Sequence, residues 1–419
     1  MKATASSSSR PPRILRVLLS RSSLRKLFLA FFLWTILEAH IIYYRIIRTE
    51  RETKSKAVLH NRPRVFIASL HWNNEKILRS DWSKGVVELV NTLGPENVFV
   101  SVYESGSWDD SKGALRELDQ ELEKTGVQKK IVLDEETHAE LVAKTPAREG
   151  WITAPDGKKK PRRIPYLSKL RNLSLQPLLD LAENGTTFDH VLFLGDVIFS
   201  ISDILTLLTT NSGHYAAACS LDFSKPPSFY DTFALRDSSG HEHATQTWPY
   251  FRSSRSRKAL LSHSPAVPVS SCWNGIVAMP ASSFLGISGL KFRGVSDTLA
   301  TYHLEGSECC LIHADNPASK AKGVFLNPHV RVGYNKEAYT TVHPEDGASW
   351  LSLWQIWFGI WKNRVARWTT TSWFKEQRVI SRISGWRRSG LPGETREEKG
   401  GFCLINEMQV VVYNGWAHL

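Results

Sequence analysis

Six polar residues of this 419-residue chain, Glu104, Asp196, Asp222, Asn274, Glu308 and His313, stand beside short apolar runs. They are too far apart to form a local motif. They can act together only if several strands of one sheet end at a common edge, in the crevice where open α/β sheets bind their ligands. A carboxylate-rich crevice with one imidazole suits a divalent cation held by hard oxygen ligands plus one nitrogen. Such an ion would neutralise a diphosphate and stabilise it as a leaving group. Competing chemistries lack their signatures. No serine sits in GxSxG, no GxGxxG or P-loop lysine motif is present, and the five cysteines show neither CxxC pairs nor zinc spacing. An odd cysteine count leaves at least one thiol unpaired unless it bridges two chains.

The elements that must position these residues are legible around Asp196. Val191 to Leu194 is apolar without alternation, which predicts a strand buried on both faces of a parallel sheet and ending at Gly195-Asp196. Ser202 and Asp203 then suit the cap of a helix from about Ile204, and Asp196 itself could be no more than a turn residue. Further strands are predicted over Val65 to Leu70, Val98 to Tyr103, KKIVLDEE, HYAAACSLDF and Ile276 to Met279, with helices over Lys76 to Leu93 and along Leu115, Leu118 and Leu122. Strand and helix alternating at this spacing mark a doubly wound sheet. GSECCLIHAD closes the core pattern. NPHVRVGYN beyond it is punctuated by Asn, Pro and Gly. Residues 144 to 166 read as a surface loop whose basic cluster is a solvated face or a phosphate contact, and RIPYLSKLRNLSLQPLLDLA as a helix leading into the Asp196 strand.

The formal charge of +12 suggests nucleic acid until it is divided along the chain. Residues 1–60 carry 12 Lys/Arg against 3 Asp/Glu, residues 61–340 carry 31 of each, and residues 341–419 carry 10 against 7. A neutral middle gives no basic stripe, so nucleic-acid binding is not expected. The basic tail 1–26 leads into an apolar run, residues 27–44, about as long as a membrane-spanning signal-anchor, with Glu38 and His40 interrupting it. The expected order is cytoplasmic tail, anchor, a stem over 45–64, a catalytic domain over 65–340 and a Trp-rich basic extension over 341–419. Two sequons, at Asn172 and Asn184, fit a lumenal main body, Asn184 being the better loop position. Trp350, Trp354, Trp357 and Trp361 recur on one face of a predicted helix over 350–368. That face either lies on the membrane or packs onto the catalytic domain, and packing is the expectation.

IASLHWNNEKIL, VSVYESGSWDDS, RIPYLSKLRNLSLQPL, FDHVLFLGDVIFS, SCWNGIVAM and SECCLIHAD, in this order over roughly residues 64–335, resemble the fungal capsule-associated α-1,3-mannosyltransferases, GDP-mannose-dependent Golgi type II membrane enzymes of polysaccharide biosynthesis. The resemblance implies a GT-A fold, an α/β nucleotide-sugar-binding sheet with helices on both faces. It also implies Mn2+ held by a DxD motif, for which this chain has Leu194-Gly195-Asp196, with only the last acid present. It further makes His313 a second metal ligand, Glu104, Lys169 and Arg171 donor-binding residues, Trp273 and Asn274 acceptor-binding residues, and Glu308 and Asp222 the catalytic acids. Transfer from GDP-mannose to a mannose-containing glycan acceptor with retention would follow. The incomplete DxD leaves a second reading, a catalytically silent Golgi glycan-binding or scaffolding protein of the same fold. A two-carboxylate glycoside hydrolase is disfavoured, since the acids follow nucleotide-fold strands.

Overall fold

The computed structural model describes residues 21–56, 62–344 and 348–419. Most of the basic tail and the end of the predicted stem, residues 1–20 and 57–61, lie outside the described residues. The described residues open with α1, Arg21–Lys56, of which Ser22–Glu52 is long and apolar enough to cross a membrane. The region expected to be a stem continues this helix, and Ile42, Ile46 and Glu50 are buried against the rest of the protein.

The core is a mixed ten-stranded sheet. Its longer strands are β1 Val65–His71, β2 Val98–Ser105, β3 Gln128–Asp134, β4 His190–Leu194, β5 Ala217–Lys225, β6 Val267–Ser271, β7 Ile276–Pro280 and β8 Val324–Gly333. They run in the order β3-β2-β1-β4-β7-β5-β8-β6, with the short strand Arg236–Asp237 at the edge and Ser228–Phe229 paired to β5. The β3-β2-β1-β4 half is parallel, as the strand-helix alternation predicts. The other half departs from it. β7 is antiparallel to both β4 and β5, and β6 is antiparallel to β8. β8 is the segment read as punctuation: Pro328 sits where the pairing of β8 with β5 shifts register between Leu326 and Arg331, so its missing N–H leaves no gap in the ladder.

Helices cover both faces because the strands alternate strictly. Val65 and Ile67 face the cluster built with α2 Ser83–Leu93, α3 Ser111–Thr125 and α5 Ile201–Leu208. Phe66 and Ala68 face a second cluster shared with α4 Arg163–Glu183, α1, α6 Glu308–Asp315 and α7 Leu353–Thr369. A third cluster joins Leu299, Leu304 and Leu311 to Val379 and Ile383 of α8, Trp373–Arg388, and a Cys310–Cys403 disulfide fastens the C-terminal segment there. Cys219–Cys272 is the other disulfide, and Cys309 is the free thiol the odd count requires.

Several local expectations change. The cap of α5 is Ser200, whose hydroxyl accepts from the Asp203 N–H while Asp203 reaches back to Ser200, so the helix starts three residues earlier than Ile204. The predicted helix from Lys76 is interrupted by a π-helical turn, Leu78–Trp82, before α2. Residues 144–166 contain a small hairpin, Trp151–Thr153 with Lys159–Pro161, and the first residues of α4. GSECCLIHAD holds α6 rather than a strand, capped by Ser307. Asn172 lies inside α4 with both ends of its amide bonded to Phe292, which ties up the sequon, whereas Asn184 is exposed at the end of α4.

Candidate functional site

The site forms where the carboxyl ends of β1, β4 and β5 meet the entrance of β7. Pairing Ile276 opposite Leu194 in antiparallel register brings Asn274 beside the turn that carries Asp196. The turn is tight because two glycines meet in it: a Cβ on Gly195 would lie 2.7 Å from the Gly275 carbonyl oxygen, and Gly275 has φ +90. Trp82, presented by the π-helical turn, donates its indole N–H to the Gly195 carbonyl at 2.9 Å, and the Ser69 hydroxyl donates to the Leu194 carbonyl at 2.6 Å. The Asp196 carboxylate accepts from the Asn74 amide at 3.0 Å, and Asn74 is itself held by His71 and the Trp72 N–H. Burial raises the Asp196 carboxyl to about 6. Leu194, at the position of the missing first acid, is part of the apolar cluster beneath the sheet.

Asp222, within β5, is completely buried. It accepts from the Asn274 amide at 2.8 Å and from the Tyr334 hydroxyl at 3.0 Å, and its neighbour Asp231 donates its backbone N–H to it. Burial first, and then the charge of Asp231, push Asp222 up to about 7. Asp231 is raised as well, by burial. Asn274 reaches this pair because it adopts φ 44, a left-handed turn entering β7.

Arg171 on α4 links the two groups of acids. Its guanidinium donates to Glu308 at 3.0 Å and lies over the Trp273 ring at 4.6 Å. Burial opposes its charge, but Cys309 and Glu308 beside it carry its pKa above the usual value. The same positive charge lowers Asp196, and Tyr334 feels the fields of Asp196, Asp222 and Asp231 together. Arg163, two turns earlier on α4, adds a second, partly buried guanidinium in the field of Glu308 and Asp231, stacked 4.0 Å over Trp416.

Of the residues singled out in the sequence, the structure thus gathers Asp196, Asp222, Asn274, Glu308 and Arg171. The others stand elsewhere. Glu104 pins its own turn, accepting from the Ser107 N–H and pairing with Lys112 at 3.2 Å. Trp273 is buried between Phe193, Phe292 and Arg171, so it positions Arg171 and offers no ring face to an acceptor. Lys169 points to the opposite side of α4 from Arg171, into a separate cavity of about 830 Å³ lined by Arg148, Gln176 and Arg293. His313 is buried and hydrogen-bonds the Cys272 carbonyl at 2.7 Å. Among the described residues, the one set of three potential ligands close enough to share an ion is Cys219, Cys272 and His313, and its cysteines are already joined. Asn74, Asp231, Arg163 and Tyr334 were missed. The WNNEK loop after β1 signals Asn74, but nothing local in the sequence marks the other three.

Solved structures of similar architecture include mannosyltransferase PcManGT from Pyrobaculum calidifontis in complex with GDP-Man and Mn2+, at 13% identity and TM-score 0.37 over 87% of this chain and 75% of that one. GalNAc-T7 with UDP, GalNAc and Mn2+ aligns at 13% identity and TM-score 0.35 over 65% and 43%. S. aureus TarS in complex with UDP aligns at 11% and 0.31 over 78% and 75%. No curated protein matches the chain. The family model described as Cryptococcal mannosyltransferase 1 matches residues 64–315, a stretch that takes in Asp196, Asp222, Asn274 and Glu308, and the chain belongs to that mannosyltransferase family.

Proposed function

We propose that the chain moves mannose from GDP-mannose to a mannose-containing glycan acceptor, forming an α-1,3 linkage with retention, as a single-pass type II protein of the Golgi membrane. The observation that carries this reading is the convergence of Asp196, Asp222, Asp231 and Glu308 around Arg171 at one sheet edge. Two disulfides suit an oxidising lumen, and α1 supplies the anchor.

Carboxylates outnumber guanidiniums in this crevice, so a diphosphate would be repelled unless a cation accompanied it. Asp196 is the residue that would hold Mn2+ or another divalent ion, a hard cation suited to a carboxylate oxygen. When bound, the ion supplies the charge that makes the diphosphate a good leaving group. Arg171, fixed by Glu308 and Trp273, adds a preorganised positive charge. Retention needs the acceptor hydroxyl to approach on the face from which the phosphate departs. The C1–O bond to phosphate breaks, the bond from C1 to the acceptor oxygen forms, and the departing phosphate takes the acceptor proton. The buried carboxylates of Asp222, oriented by Asn274 and Tyr334, and of Glu308, paired with Arg171, shield the oxocarbenium-like centre electrostatically.

The second reading, a silent glycan-binding subunit, is favoured by one observation: Leu194 is committed to the core, leaving a single acid in the triplet. The full-length protein in detergent, given GDP-mannose, simple α-mannosides and Mn2+, decides between them. The expected result is a mannosylated product with an α-1,3 linkage. Neither binding nor transfer of mannose, with or without Mn2+, establishes the silent reading.

A further inference from the structure

The tryptophan-bearing helix α7 meets the sequence expectation only in part. Its domain-facing side is Ile356, Gly359, Ile360 and Asn363. A Cβ on Gly359 would meet the Trp248 carbonyl oxygen at 2.1 Å, so the helix sits directly on the backbone beneath it. Trp354 and Trp368 lie on the outer side, whereas Trp350, just before the helix, is buried in the core and Trp357 packs against it. Trp354 and Trp368 are 67% and 68% exposed, and Phe358 and Val365 complete the same stripe. Between this stripe and the domain, α7 is bound to α1: Trp357 donates its indole N–H to the Thr35 hydroxyl at 3.1 Å, Trp361 meets the Phe31 ring at 5.3 Å, and Arg364 pairs with Glu38 at 2.6 Å.

These contacts fix depth. From Ala39 onward one face of α1, with Ala39, Ile42 and Ile46, is buried against the domain while Ile41 and Tyr44 on the other face stay exposed, so lipid can surround the whole helix only up to about Glu38. The apolar run 27–44, whose outer face stays exposed through Ile41 and Tyr44, rises about 27 Å at 1.5 Å per residue, close to the roughly 30 Å of a hydrocarbon core. Phe31 then lies about 10 Å deeper along the helix than Glu38, and α7 touches it. Exposed aromatic residues continue into Trp373 and Phe374, and Lys362 and Arg378 are exposed on the same two helices.

Resting on the anchoring read above, we propose that α7 and the start of α8 are a second membrane element. The Trp354, Phe358, Val365 and Trp368 stripe lies in the interfacial layer of the leaflet that α1 leaves, with Lys362 and Arg378 at its headgroups. The catalytic domain is thereby seated on the bilayer instead of hanging from a stem. Continuity with the apolar surface of α1 selects lipid over a protein partner, and the two exposed basic residues match anionic headgroups.

The test uses the full-length protein in proteoliposomes, with a fluorophore on a single introduced cysteine. Trp354→Cys, Phe358→Cys and Trp368→Cys are compared with Phe28→Cys in α1 and Glu121→Cys on α3. Labels at 354, 358 and 368 should lose most of their emission to brominated lipid, as at 28, and resist aqueous iodide, whereas the label at 121 should do the reverse. Iodide quenching at 354, 358 and 368, with 28 still quenched by lipid, overturns the proposal alone. Protection of these three positions from both quenchers means a protein partner covers the stripe and also overturns it. Iodide quenching at 28 overturns the anchor itself.

Discussion

Asp196 carries the proposed chemistry on one carboxylate, and its surroundings make it a costly group to keep. With its carboxyl raised to about 6 by burial, its charged form is disfavoured in the fold at neutral pH relative to an unfolded aspartate. A raised folded pKa contributes stability that is full below the unfolded value and is lost as pH rises through about 6. Asp196→Asn should therefore lower mannose transfer by more than about a hundredfold, because each 1.36 kcal/mol of lost transition-state stabilisation is tenfold. At pH 7 its thermal midpoint should be equal to or above that of the unmodified protein, with the Asn74 contact retained. Near-normal transfer at saturating Mn2+ would remove Asp196 from the mechanism. Arg171 should behave in the opposite way. Arg171→Ala strips the partner from buried Glu308, and loss of one member of a buried pair costs about 3–5 kcal/mol, so both stability and transfer should fall. Urea unfolding checks the first; an unchanged midpoint would mean that Glu308 finds another partner.

At the scale of elements, close backbone approach decides placement. Gly359 lets α7 rest on the Trp248 carbonyl, and Gly359→Ala should push the helix off its seat, costing about 1–3 kcal/mol as an overpacked contact. A lower thermal midpoint of the detergent-solubilised protein, with the Glu38–Arg364 pair weakened, is the expected result; an unchanged midpoint would show that α7 is loosely held. The tryptophan spacing made α7 legible as a helix, but not which side faces inward, because small residues such as Gly359 and Asn363 give little hydropathy signal. Strands β1, β2 and β4 were legible because they are uninterrupted apolar runs buried on both faces. β8 was hidden by Asn327-Pro328, which the sheet accommodates at a register shift. α6 was read with the strands because its eight residues are too few to display a helical period and mix Cys, Leu and Ile with acids. The site followed the same division. Asp196, Asp222, Asn274, Glu308 and Arg171 could be named from run ends and resemblance, whereas Asp231 and Arg163 reach the crevice through a loop and a helix face that only tertiary packing defines.

The whole molecule keeps several histidines neutral in its interior, and this sets its response to acid. Burial lowers His71, His243, His313 and His329 to about 4 and His263 to about 2. Above the ordinary histidine value of about 6.5 they are neutral in both folded and unfolded chains. As pH falls from there to about 4, the unfolded chain takes up protons that the folded one refuses, and each such histidine removes about 1.36 kcal/mol of stability per pH unit. Asp196 near 6, Asp222 near 7 and Glu305 near 7 act in the other sense, holding protons in the fold that an unfolded carboxylate has released. Stability should therefore decline on acidification below about pH 6.5, more gently than the histidines alone would dictate. His313 isolates one contribution. Its ring nitrogen faces the Cys272 carbonyl at 2.7 Å, and His313→Gln keeps a donor there while removing the titration. The slope of unfolding free energy between pH 6.5 and 4 should flatten by about 1.36 kcal/mol per unit, with stability at pH 7.5 little changed and Mn2+-dependent transfer intact. Loss of the Mn2+ response in this variant, with the acid slope unaltered, would return His313 to the metal site and refute its structural role.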